Sequence, residues 1–133
     1  MWTSFGKRLG ESRIALLSSV GIYVKSAQEP FDVEAERGRP QWGDPTWRAI
    51  PADARPEDLG VAHLHINDED VLADPEIALP IHGLEAIATA TAQHVTVMGY
   101  QKRDLEDWHR TTAHEIVGFL REQETDGLIL APA

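Results

Sequence analysis

Apolar residues gather in short runs over most of this chain and in one helical stripe near its end. Residues 12–18 hold Ile14, Ala15, Leu16 and Leu17 between polar ends, the pattern of a strand buried on both faces. Residues 21–48 carry Pro30, Gly38, Pro40, Gly43 and Pro45 with charges between them, so a long irregular loop is expected. Trp42 and Trp47 in that stretch argue against disorder. Residues 47–50 and 60–66 read as two further strands separated by a polar, Pro-marked segment. In the second of them a period of two puts Val61, His63 and His65 on one face and Ala62, Leu64 and Ile66 on the other. Leu84, Ile87, Ala88 and Thr91 then recur at helical spacing, and residues 94–98 read as a strand.

The longest periodic stretch starts at Asp104, an N-cap candidate with Glu106 and Asp107 in the first turn. Leu105, Trp108, Thr112, Ile116, Phe119 and Leu120 share one face, which predicts an amphipathic helix of about five turns. Asp126 and Gly127 end it, and residues 128–131 form a short apolar strand. Strands alternating with helices predict a single α/β domain over residues 1–133. It would have three layers and a mostly parallel sheet, incomplete at its C-terminal end. A last strand with no helix after it leaves an apolar surface that invites a partner.

Composition narrows the function. The 133 residues carry 12 Lys and Arg against 22 Asp and Glu, a formal charge of −10. Such a chain lacks the basic stripe that nucleic acid requires. No run approaches the roughly 18 apolar residues of a membrane span, and the opening residues lack the apolar stretch of a secretory signal, so no membrane contact and a cytoplasmic location are expected. The chain has no cysteine, which removes disulfides, thiolate nucleophiles and Cys-bound metal together. Any redox chemistry needs a group these residues do not contain.

The densest cluster of ligand-type side chains is His63 and His65 with Asn67, Asp68, Glu69, Asp70, Asp74 and His82. His63, His65, Asp68 and Asp70 are weak metal candidates, because two imidazoles at i and i+2 alone make an unspecific pattern. The two histidines are better candidates for a polar substrate or proton-transfer site, since imidazole titrates near neutrality. The bland alternative is a pair of hydrogen-bonded groups at the mouth of the sheet. Lys25, just past the first strand, could meet an anion, although a solvated loop lysine explains it as well. Met98, Gly99 and Tyr100 lie at a strand's carboxyl end, where ligands bind in α/β sheets and where Gly99 permits close backbone approach. His109 and His114 stand roughly 140° apart on a continuous helix at about 100° per residue and should not converge on one ligand.

Several runs occur together in order: residues 21–26, Pro30-Phe31-Asp32, Gly43-Asp44, residues 47–51, His63-Leu64-His65, Asp74, Pro80-Ile81, and Met98-Gly99-Tyr100. Taken as an ordered set over nearly the whole chain, they resemble the selenoprotein B (component B) family of glycine, sarcosine, betaine and D-proline reductases. The chain departs from that family's pattern at Ile66-Asn67, where an acidic residue follows the second His, and at His82-Gly83, where an acidic residue and Arg follow Pro-Ile. The resemblance implies reductive cleavage of a carbon–nitrogen bond in a small amine. In that reaction a selenolate or thiolate attacks the α-carbon, and the fragment passes to a selenoprotein A-like partner beside other reductase subunits. It further implies that a selenocysteine or cysteine segment follows the strand at 127–131, so that the chain is truncated before its redox-active residue and holds no cofactor of its own. A non-catalytic partner subunit and a His/Asp metal-binding module are the alternatives.

Overall fold

The computed structural model describes residues 5–39, 42–99 and 105–132. In chain order its elements are β1 (Arg13–Ser18), β2 (Ile22–Val24), α1 (Val33–Gly38), β3 (Trp47–Pro51), β4 (Leu59–Val61), α2 (Asp68–Ala73), α3 (Ile81–Glu85), β5 (Thr89–Ala90), β6 (Gln93–Val97), α4 (Leu105–Arg110), α5 (Thr112–Glu122) and β7 (Gly127–Ala131). β1 runs through the middle of the main sheet with β7 parallel on one side, Ile14 opposite Gly127 and Ser18 opposite Ala131. On its other side β5 pairs with the start of β1 and β6 with its end, both parallel. β3 adds an antiparallel edge to β6, with Trp47 opposite Val97. The result is an α/β fold on a mostly parallel, mixed sheet.

Burial on both faces explains the apolar run of β1. Ala15 and Leu17 meet Val95, Val97, Ile116 and Leu120, so α5 covers that face, with the Trp47 and Phe119 rings 4.9 Å apart at its edge. Ile14 and Leu16 face the larger cluster of Ile22, Ile50, Leu59, Val71, Leu79, Ile81 and Leu84, which β2, β4, α2 and α3 close over. Each fully buried aliphatic there contributes about 1.5–3 kcal/mol, so the sheet is held from two sides. β2 and β4 form their own antiparallel ladder, Ile22 opposite Val61, and the Thr96 hydroxyl donates to the Ile22 carbonyl to tie that ladder to β6.

Four expectations change. The stretch at 21–48 is not a bare loop: it contains β2 and α1, the latter capped by Asp32, whose carboxylate accepts the Ala35 N–H. The strand expected over 60–66 ends at Val61: the Ala62 N–H still donates to the Gly21 carbonyl, the next position in register, and residues 63–66 lie beyond the ladder. The helix expected through Thr91 is the five-residue α3; Thr91 is instead buried between β5 and β6, its hydroxyl donating to the Gln93 carbonyl. The five-turn helix is two helices broken at Thr111, whose hydroxyl bonds back to the Asp107 carbonyl while Thr112 donates to Pro45. Ser and Thr hydroxyls that compete for helix carbonyls bend or interrupt the ladder in this way. Its expected cap, Asp104, lies outside the described residues. No helix among the described residues is long and apolar enough to cross a membrane.

Candidate functional site

The carboxyl ends of β1 and β6 meet the end of β4 at one place, and glycines make the meeting close. Gly21, at φ 74°, donates its N–H to the Val97 carbonyl and accepts the N–H of Ala62, joining the main sheet to β4. A positive φ of this kind is cheap for glycine and strained for other residues. A Cβ on Gly99 would fall 2.9 Å from the Ser19 carbonyl oxygen, so the two strand exits pack against each other only because Gly99 has no side chain. Phe31, Ala62 and Met98 bury themselves over this junction, with Tyr23 and Val33 against them. The buried Asp44 carboxylate accepts the N–H groups of Asp32 and Thr46, which pins the start of α1 beside the junction. The Arg48 guanidinium lies 4.3 Å from the Phe31 ring centroid and covers it from outside.

A cleft of about 510 Å³ opens on this floor, walled by Tyr23, Phe31 and Arg37 on one side and by His63, Leu64 and Asp68 on the other. His63 lines it and His65 stands beside His63, but not as a neighbour on a strand face, since the ladder has already ended. The two rings stand edge to face with centroids 5.8 Å apart. The backbone N–H of His65 donates to His63 Nδ1 at 3.1 Å, which leaves Nε2 as the ring nitrogen that carries the proton in the neutral form. His65 Nε2 lies 2.8 Å from Oε1 of Glu36, a carboxylate only 3% exposed on α1. Burial pushes the His63 imidazole below its ordinary value of 6.5; Glu36 opposes that shift, His65 adds to it, and Asp68 opposes it again. Glu36 Oε2 and Asp68 Oδ1 are buried with no hydrogen-bond partner among the described residues. Buried acceptors without donors are costly, and both lie on the elements that frame this cleft.

The other sequence candidates go elsewhere. Lys25 sits beyond Val24, at the opposite end of the β2–β4 ladder from His63, with its ammonium on the Glu57 carbonyl. Met98 is buried behind the cleft, where its sulfur accepts the Asp44 N–H, and Gly99 lies at the strand junction. Tyr100 falls outside the described residues. Asp70 accepts from the Asn67 amide in the first turn of α2 and does not line the cleft. Asp74 and His82 line a separate crevice of about 210 Å³ beneath α3. There, burial raises the Glu76 carboxyl, but the His82 and Gly83 N–H groups and the His82 ring outweigh it and hold that carboxyl low. Among the described residues no group of three or more His, Asp and Glu side chains is placed to hold a metal ion. The break at Thr111 brings the His109 and His114 rings to 5.9 Å, closer than a continuous helix allows, with His114 Nδ1 on the His109 carbonyl.

Glu36 is the site residue that the sequence did not reveal. It sits in a short run of alternating charges that reads as a solvated surface, and its burial depends on how Asp32 and Asp44 fix α1.

No family model matches the chain, and no solved structure matches it. Among curated proteins it is similar to the D-proline reductase subunit gamma of Acetoanaerobium sticklandii, 26% identical over 136 aligned residues. The match takes in 98% of this chain and 52% of the relative, so the chain spans about half the length of that protein. The relationship to a reductase subunit is distant and runs nearly end to end through the chain.

Proposed function

We propose that this chain is the substrate-holding scaffold of a selenoprotein B-like component of an amino-acid reductase, acting in reductive cleavage of a carbon–nitrogen bond. The observation that carries this reading is the similarity to a D-proline reductase subunit over 98% of the chain. The cleft at the strand exits supports it, because it offers a defined, partly apolar space at the edge where α/β sheets hold ligands.

Displacement at an α-carbon needs a soft, strong nucleophile. A selenolate or thiolate supplies it: the carbon–chalcogen bond forms as nitrogen leaves with the electron pair and takes a proton. One thiol of a dithiol then attacks the chalcogen, the carbon–chalcogen bond breaks and carbon takes a proton, and the second thiol closes the disulfide and frees the chalcogen. These 133 residues contain no cysteine, so that atom comes from outside them, on other reductase subunits or on further chain. Transfer of the fragment to a selenoprotein A-like partner belongs to the same reading. The role left to this chain is binding and orientation. The Asp68 carboxylate on the cleft wall suits a protonated amine, and the Tyr23 and Phe31 rings suit its carbon skeleton.

Equilibrium dialysis with labelled D-proline tests this. The reading expects retention by the wild-type chain and at least tenfold weaker retention by Asp68→Ala, a change of about 1.4 kcal/mol. No retention, or equal retention by the variant, contradicts it.

A further inference from the structure

Resting on that reading of the cleft, we infer that Glu36 is a positioning residue that acts through His65 to set how His63 meets a ligand. The geometry forms one connected path. Glu36 Oε1 holds the His65 ring at 2.8 Å, and the held residue turns its own backbone N–H onto His63 Nδ1 at 3.1 Å. The His63 ring is thereby fixed at one nitrogen, and Nε2–H is what remains to a ligand. A neutral Nε2–H is a donor, so it fits an acceptor oxygen such as a substrate carboxylate and is poorly suited to take up a proton. Glu36 is nearly fully buried, and half of its carboxylate is unpartnered among the described residues. A side chain placed there at that cost for helix packing alone would be better replaced by an apolar one. The ionisable groups around His63 are Glu36 on α1, His65 beside it and Asp68 on α2, with Tyr23, Asp32, Glu34 and Arg37 on the cleft walls.

The experiment is histidine ring ¹⁵N NMR on the full chain across pH 5–8, in wild type, Glu36→Gln and Glu36→Ala, with backbone amide spectra confirming that each is folded. Wild type is expected to show the Nε2–H tautomer and to titrate below 6.5. Glu36→Gln keeps an acceptor for the His65 ring but removes the charge, so His63 titrates at still lower pH. Glu36→Ala releases His65 and with it His63, whose titration then rises toward 6.5, the value of a solvated imidazole. Identical His63 titration in all three proteins overturns the inference, as does an Nδ1–H tautomer in wild type. Adding D-proline and then D-prolinamide separates this from the functional reading. A His63 shift with D-proline alone supports carboxylate contact, and a shift with both overturns that contact. If the Glu36 responses hold and neither compound moves His63, the functional reading fails while the positioning role stands.

Discussion

A Cβ built on Gly21 would lie 2.4 Å from the carbonyl oxygen of Ala62, the residue immediately before His63. The same Gly21 takes φ 74° and accepts the Ala62 N–H, so one residue without a side chain sets where the cleft wall begins. Gly21→Ala is therefore expected to cost at least about 1–2 kcal/mol from the left-handed backbone alone, with displacement of residues 62–65 added to it. Gly118→Ala is the control, since a Cβ there meets nothing within 4 Å inside α5 and the change should stabilise by about 0.5–1 kcal/mol. Urea unfolding of both variants checks the opposite signs, and His63 resonances should move in the first variant only.

Acid lability should trace to His94. Its Nδ1 accepts the Leu16 N–H at 3.1 Å in place of a strand-to-strand bond, its ring is fully buried, and burial pushes its pKa down to about 4. The unfolded chain binds that proton near 6.5 and the folded chain does not. Stability from this group is then complete above about pH 6.5 and is lost progressively as pH falls toward 4, about 3 kcal/mol in all. His94→Asn keeps an acceptor for Leu16 and removes the titration. Unfolding free energies at pH 7.5, 6 and 5 should therefore fall less steeply in the variant, and equal slopes would count against this origin.

β7 pairs with β1 alone among the described residues and leaves Leu128, Ile129 and Leu130 exposed by 40, 41 and 65%. An apolar edge strand with unpaired backbone groups promotes association. The purified chain should self-associate with rising concentration, and Leu130→Lys should shift the onset upward. Sedimentation velocity over a hundredfold concentration range checks this, and indistinguishable profiles would refute it.

β1 and β6 are legible because burial on two faces leaves a mark that needs no context: Ile14 to Leu17 is an unbroken apolar run, and Val95 and Val97 flank the buried Thr96, whereas β5 lies inside the span whose spacing reads as helical. Their α/β arrangement followed from element order. What stayed hidden depends on contacts distant in sequence. The alternation at 61–66 imitates a strand, yet the last partner β2 offers is Gly21, opposite Ala62 and forty-one positions earlier, and nothing local marks that limit. β2 and α1 lie among prolines and glycines, and α1 is held by Asp44, which no local pattern links to Asp32. His63 stands out in the sequence by its chemistry alone, whereas Glu36 reads there as one more surface charge.

The central claim is that these residues orient an amine substrate but cannot displace its nitrogen. The most direct measurement is conversion of D-proline to its ring-opened ω-amino acid in excess dithiol, by the purified 133-residue chain alone and with a reductase polypeptide that carries a thiolate or selenolate. The account predicts no product from the chain alone, and product from the combination that falls sharply with His63→Ala. Turnover by the isolated chain, or a combination indifferent to whether the chain is present, would contradict it.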